Sequence, residues 1–176
     1  MYIKYDNINN YNFDKYNDRK KQHYLARILL KDILNNKYNM YYQDDLIKYN
    51  EFGKPYLDDI NFNISHSYDY VIVAVSQNNV GIDIEKIRKV KLSIMNIFCT
   101  DNEKQYIFNS KNKYLAFWKI YTLKEAYFKM LGTDLSNMKK VEFNICDDNV
   151  VCINNPNLKI YISTEINDYI FSIIYE

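Results

Sequence analysis

Between Ile60 and Glu85 the chain reads INFNISHSYDYVIVAVSQNNVGIDIE, three apolar or alternating runs separated only by the polar residues around Tyr68–Asp69 and Gln77–Asn79. Breaks this short leave no room for a crossover helix, so the pattern dictates antiparallel strands joined by tight turns. The middle of the chain therefore reads as a three-stranded meander.

The flanks carry a different period. From Asp18 to Leu34, DRKKQHYLARILLKDIL places Leu25, Ile28, Leu29 and Ile33 on one stripe with charges opposite, which predicts a surface helix. A shorter helical stretch is expected around Met40–Tyr49, ending at EFGKPY, where Gly53 and Pro55 break regular structure. Downstream, Thr100 and Glu103 make the T-x-x-E spacing of a capping box, and a long helix is expected from about Tyr114 to Leu131, stopped by Gly132. VEFNI, NVVCI, LKIYI and DYIFSIIY then read as four strands with Asp/Asn/Pro turns, closing a second antiparallel sheet. The order is α+β, with a faint helix-then-strands echo between the two ends.

Composition narrows the functional classes. With 176 residues and 48% hydrophobic content the chain can bury one good core, and a net charge of +1 gives no broad basic field for nucleic acid. The N-terminal MYIKYDNINNYNFDKYN is polar, and the longest apolar stretch, Val71–Val75, is far too short to span a bilayer, so a soluble cytoplasmic protein with no membrane partner is expected. Cys99, Cys146 and Cys152 are odd in number and widely spaced, which suits free thiols rather than a zinc site.

In GIDIEK, Asp83 and Glu85 alternate with isoleucines, so on a strand they point the same way, about 6 to 7 Å apart. Alone they describe a solvated edge strand, and Glu125 with Lys129, four apart on one helical face, describes an ordinary exposed pair. Together, Asp83, Glu85 and Glu125 could supply the few carboxylates that Mg²⁺ takes alongside phosphate oxygens and water. A lone histidine such as His66 is ordinarily a core or turn residue. Here it lies between Ser65 and Ser67 at a strand end, where hydroxyls, an amide and an imidazole can grip a phosphate.

EFGKPY, FNISHS, GIDIEK, the T-x-x-E and LKEAYFK, in this order, resemble the 4′-phosphopantetheinyl transferases of the surfactin-synthetase-activating type, over the region Glu51 to Ser136. The resemblance implies two pseudo-symmetric halves, about 1–80 and 81–176, each a small antiparallel sheet packed with helices, with the active site in the cleft between them. It implies a monomer, because the acidic strand lies mid-chain, whereas the short trimeric holo-acyl-carrier-protein synthases begin with theirs. The implied reaction moves the 4′-phosphopantetheine arm of coenzyme A to a serine of an apo acyl, peptidyl or polyketide carrier protein, with Mg²⁺, releasing adenosine 3′,5′-bisphosphate.

By the same resemblance, Asp83, Glu85 and Glu125 are the metal ligands and Lys129 steadies phosphate charge. Ser65 and His66 bind phosphate, Lys54 and Pro55 lie against the adenine nucleotide, and Arg19, Lys20, Lys21 and Arg27 are candidates for the 3′-phosphate. Glu125 or Glu103 takes the serine proton, although a capping-box glutamate is already explained by its helix. This chain departs from the family in having Trp118 and Tyr121 in inverted order and in carrying Asp134 where a glycine is usual. A different Mg²⁺-dependent phosphohydrolase and a non-catalytic module that binds a carrier protein or nucleotide are the two competing readings.

Overall fold

Val71, Val73 and Val75 are fully buried, and so are Ile72 and Ala74, in the structure of the chain, a computed structural model that describes residues 1–146 and 149–176. A strand apolar on both faces must be covered on both. This one, β5 (Tyr70–Ser76), is the centre of a sheet ordered β1-β5-β4, with β1 (Tyr2–Asn7) and β4 (Asn61–Ser67) both antiparallel to it. Its valines pack under α1 (Asp18–Tyr38) with Leu25, Leu29, Leu30 and Leu34. Its other face, Ile72 and Ala74, meets the second sheet at Ile82, Ile84, Phe171 and Ile173.

The second sheet is ordered β6-β10-β9, from β6 (Val80–Lys86), β10 (Tyr169–Tyr175) and β9 (Lys159–Ser163), all antiparallel neighbours. In each sheet the half's last strand lies between its first strand and its penultimate one. The halves therefore repeat one topology. The outer face of the second sheet is covered by α4 (Lys113–Leu131), whose Ala126 and Met130 join Ile170 and Ile174 in one apolar cluster. Before α4 come the one-turn α2 (Met95–Phe98) and α3 (Asp101–Asn109), which Thr100 and Glu103 open with a complete capping box.

Four expectations are corrected. The three central runs are strands, but β6 pairs with β10 and not with β5, so they are no meander. The stretch 40–49 is not helical. It holds a 3₁₀ turn at Asp44–Leu46 and then β2 (Lys48–Tyr49), which pairs with β3 (Pro55–Tyr56) around Gly53 at φ +80°. The four last strands divide: β7 (Phe143–Cys146) and β8 (Asn149–Cys152) form their own hairpin, and the turn expected at 147–148 lies outside the described residues. On α1, Ile28 is 43% exposed while Leu30 and Leu34 are buried, because the long helix presents a wider face than one stripe. Among the described residues no helix is long and apolar enough to cross a membrane.

Gly81 sets the distance between β6 and α4. A β-carbon there would lie 1.9 Å from the Ala126 carbonyl oxygen and 2.4 Å from the Met130 nitrogen, so only glycine lets the helix rest on the strand. Gly132 ends the helix in the left-handed region at φ +70°.

Candidate active site

The first and second sheets meet along a seam with no backbone ladder. The Asn63 side-chain oxygen accepts from the Ile82 amide at 3.0 Å, Ser65 Oγ from Ile84 at 3.3 Å and Ser67 Oγ from Lys86 at 3.2 Å. The three pairs advance together, so β4 and β6 run parallel, with β4 side chains standing in for carbonyls. Each serine has a proton left to donate. Ser65 gives its proton to Asp83 Oδ1 at 2.8 Å, and Ser67 gives its own to Glu85 Oε2 at 2.9 Å.

Because Gly81 brings α4 so close, Lys129 on the helix reaches a carboxylate of β6, and Glu125 sits one turn before it. Lys129 Nζ donates to Asp83 Oδ1 at 2.6 Å and to Ser65 at 3.1 Å. Glu125, 8% exposed, accepts from the Tyr121 hydroxyl at 2.8 Å through Oε1. Burial, and then the neighbouring Asp83 charge, hold both Glu85 and Glu125 above the ordinary glutamate range. Glu125 thus lies within the field of Asp83, as Glu85 does. Arg88 approaches Glu85 at 3.6 Å from the rim, its guanidinium stacked 4.3 Å over Trp118.

Three carboxylates against the half-buried ammonium of Lys129 and the rim guanidinium of Arg88 leave an excess of negative charge, and Asp83 Oδ2 is buried without a partner. An orphaned carboxylate oxygen costs on the order of 1–3 kcal/mol or more, unless a cation meets it. Among the described residues no three His, Cys, Asp or Glu side chains converge tightly enough to hold a metal by themselves. The donor set fits a hard cation that completes its shell with phosphate oxygens and water.

Beside this cluster a cleft of 220 Å³ is lined by Lys54, Pro55, Lys129 and Gly132. Lys54 crosses it to donate to the Met130 carbonyl at 2.7 Å, and burial lowers its pKa. A larger cavity of 490 Å³, near Leu115, Val150 and Ile160, holds none of these carboxylates, and volume alone does not make it the reactive site. His66 faces out from β4, on the side opposite to Ser65 and Ser67. Partial desolvation, then the charge of Lys129, hold its imidazole below the usual histidine range, and Arg19 adds to the same field.

Other candidates lie elsewhere. Glu103 is 1% exposed and fully engaged: Oε2 accepts from the Thr100 amide at 2.8 Å and pairs with Lys124 at 2.8 Å, while Oε1 accepts from the Phe143 amide at 3.0 Å. None of its partners belongs to the carboxylate cluster. Arg27 turns to the Tyr42 and Tyr49 hydroxyls, at 3.3 and 3.2 Å, and to Asp44, while Lys20 is exposed in the first turn of α1. Lys21 pairs with Asp18 at 3.5 Å, while the charge of Arg19 acts on His66. The Trp118/Tyr121 inversion has a structural outcome: the indole donates to the Arg88 carbonyl at 2.9 Å, and Tyr121 is left to hold Glu125. Asp134 caps the 3₁₀ segment Leu135–Lys140.

Sequence reasoning placed Ser67 beside a phosphate and noted Tyr121 only for its order, so it missed the bonds of Ser67 to Glu85 and of Tyr121 to Glu125, as well as the buried role of Lys124. The signal for the first was the N-x-S-x-S alternation, in step with I-D-I-E-K; for the second it was the i, i+4 spacing from Tyr121 to Glu125.

Residues 79–174 match the family model described as the 4′-phosphopantetheinyl transferase superfamily, and residues 4–78 match that described as 4′-phosphopantetheinyl transferase, N-terminal. The 4′-phosphopantetheinyl transferase gsp of Aneurinibacillus migulanus is 36% identical over 111 residues, which cover 61% of this chain and 47% of that one. The 4′-phosphopantetheinyl transferase Sfp of Bacillus subtilis (strain 168) is 31% identical over 117 residues, covering 64% and 52%. The L-aminoadipate-semialdehyde dehydrogenase-phosphopantetheinyl transferase of Xenopus laevis is 27% identical over 140 residues, covering 68% and 46%. The chain spans about half the length of these curated relatives.

Proposed function

The chain belongs to the 4′-phosphopantetheinyl transferase superfamily, and from that premise we propose that it transfers the phosphopantetheine arm of coenzyme A to a serine hydroxyl of an apo carrier protein. The observation that carries this reading is the buried, partnerless Asp83 Oδ2, set among Glu85, Glu125 and Lys129 at the edge of the Lys54 cleft. Asp83, Glu85 and Glu125 would hold Mg²⁺, which supplies charge neutralisation for the coenzyme A diphosphate.

The chain's own residues do the rest. Phosphoryl transfer asks a protein for alignment and for screening of charge more than for covalent help. Lys129, fixed between Asp83 and Ser65, presents an ammonium to the phosphates. His66 and Arg19 face the nucleotide phosphates from the β4 side, and Lys54 with Pro55 floors the nucleotide cleft. Glu125, kept basic by burial, accepts the serine proton. The serine Oγ–phosphorus bond then forms as the bond from that phosphorus to the bridging oxygen breaks, and adenosine 3′,5′-bisphosphate leaves with the electron pair.

Glu103, spent on Lys124 and two backbone amides, has no part in this scheme. The active form is a cytoplasmic monomer of two halves, 1–80 and 81–176, folded as one domain.

Incubation with coenzyme A, Mg²⁺ and apo acyl, peptidyl and polyketide carrier proteins, followed by intact-mass spectrometry, tests the reading. Addition of one phosphopantetheine per carrier is expected. Consumption of coenzyme A with no adduct would point to a phosphohydrolase, and binding without turnover to a non-catalytic module.

A further inference from the structure

The three carboxylates share a pattern. Each has one oxygen taken by a hydroxyl of the chain itself: Asp83 Oδ1 by Ser65 at 2.8 Å, Glu85 Oε2 by Ser67 at 2.9 Å and Glu125 Oε1 by Tyr121 at 2.8 Å. The second oxygen of each, Asp83 Oδ2, Glu85 Oε1 and Glu125 Oε2, accepts no hydrogen bond among the described residues, and that of Asp83 is buried. Half of every carboxylate is thus tied down, and half is open.

The ties are stiff. Ser67 is held to the Lys86 amide across the seam, so its hydroxyl cannot follow a turning carboxylate. The Tyr121 ring sits edge-on to Phe98 at 5.3 Å and to Trp118 at 5.6 Å, and parallel to Phe117 at 6.4 Å. A carboxylate pinned through one oxygen turns its other oxygen to an incoming metal, and the hydroxyl bond competes with chelation through both. Such one-oxygen ligation suits Mg²⁺, which requires a small octahedral shell, and it disfavours Ca²⁺, which takes more and longer bonds and often both oxygens of a carboxylate.

We propose that the hydroxyls of Tyr121 and Ser67 are positioning groups that hold Glu125 and Glu85 to one-oxygen ligation and so select Mg²⁺ over Ca²⁺ at this site. The assignment rests on the proposed function, since it presumes the divalent cation.

Binding is measured on the intact protein with saturating coenzyme A and no carrier protein, by electron paramagnetic resonance of bound Mn²⁺ displaced with Mg²⁺ or with Ca²⁺. Wild type is expected to release Mn²⁺ at lower Mg²⁺ than Ca²⁺. Tyr121→Phe keeps the packed ring and loses only the hydroxyl. It is expected to narrow the Mg²⁺/Ca²⁺ preference about tenfold, the usual scale for a group that orients a metal ligand. Turnover with Mg²⁺ falls in kcat while the KM for coenzyme A stays near wild type. Ser67→Ala, which frees Glu85, is expected to move the preference the same way. An unchanged preference in either folded variant overturns the assignment and leaves the transferase reading standing. Wild-type protein that binds neither Mn²⁺ nor Mg²⁺ overturns both.

Discussion

Lys124 has a side chain with no exposed surface, although its neighbour in sequence, Glu125, opens on the site. Its ammonium pairs with Glu103 at 2.8 Å and donates to the Met138 and Val141 carbonyls at 2.9 and 2.5 Å. Replacing it in Lys124→Met keeps most of the volume and strands a buried carboxylate together with two carbonyl oxygens. Breaking one side of a buried ion pair costs about 3–5 kcal/mol, against a total stability of about 5–15 kcal/mol for a domain. With a urea slope of about 2 kcal/mol/M, the unfolding midpoint falls by about 2 M.

The assay is urea denaturation followed by far-ultraviolet circular dichroism, for Lys124→Met and for the double variant Lys124→Met/Glu103→Gln. The neutral amide introduced by Glu103→Gln removes the stranded charge, so the double variant is expected to recover part of the loss. A loss under about 1 kcal/mol in the single variant, the range of an exposed pair, would refute the picture of a dry, saturated node. The same series separates the two candidate bases, because Glu103→Gln should lower stability while the folded fraction keeps its kcat.

Asp83→Asn is expected to abolish Mg²⁺-dependent transfer and the thermal stabilisation by Mg²⁺, while in the metal-free protein loss of the Lys129 pair is offset in part by removal of the charge that burdens Glu85 and Glu125; scanning fluorimetry with and without Mg²⁺ reads both. Those two glutamates have raised pKa values in the folded state, so the folded protein binds more protons than the unfolded one. In the metal-free protein their contribution to stability is therefore unfavourable at neutral pH and is relieved as pH falls toward the ordinary value of 4.5. Urea midpoints across that window should rise on acidification for wild type and flatten for Glu85→Gln/Glu125→Gln. Gly81→Ala forces a β-carbon into the α4 backbone, and a loss of about 1–3 kcal/mol or more is expected from overpacking, with activity falling further than stability because Lys129 and Glu125 move off Asp83.

Local chemistry made much of this legible. The capping box of Thr100 and Glu103, the stop at Gly132 and the shared face of Asp83 and Glu85 depend on neighbours within a turn or two residues, and all three are found. What failed depends on partners far along the chain. The strand Tyr2–Asn7 is an exposed edge whose residues show no apolar alternation, so only its pairing with β5 reveals it. The hairpin Lys48–Tyr49 with Pro55–Tyr56 is two residues deep on each side, too short for any period to mark. The choice of β10 over β5 as the neighbour of β6 is a tertiary decision, since an alternating pattern sets which face is buried but not which edge is met. Glu103 offered two readings because capping and catalysis use the same carboxylate, and the buried ammonium that meets it, that of Lys124, comes from another helix.

The seam between β4 and β6 has a consequence for how this chain can change. Asn63, Ser65 and Ser67 weld one half to the other through side chains, and two of those three welds also grip the carboxylates of Asp83 and Glu85. Mechanical joint and proposed chemical centre are thus made from the same atoms. Retuning the chemistry through these serines would loosen the union of the halves, so drift in specificity is channelled to the rim, where Arg88, His66 and the β2–β3 hairpin can vary without undoing the joint.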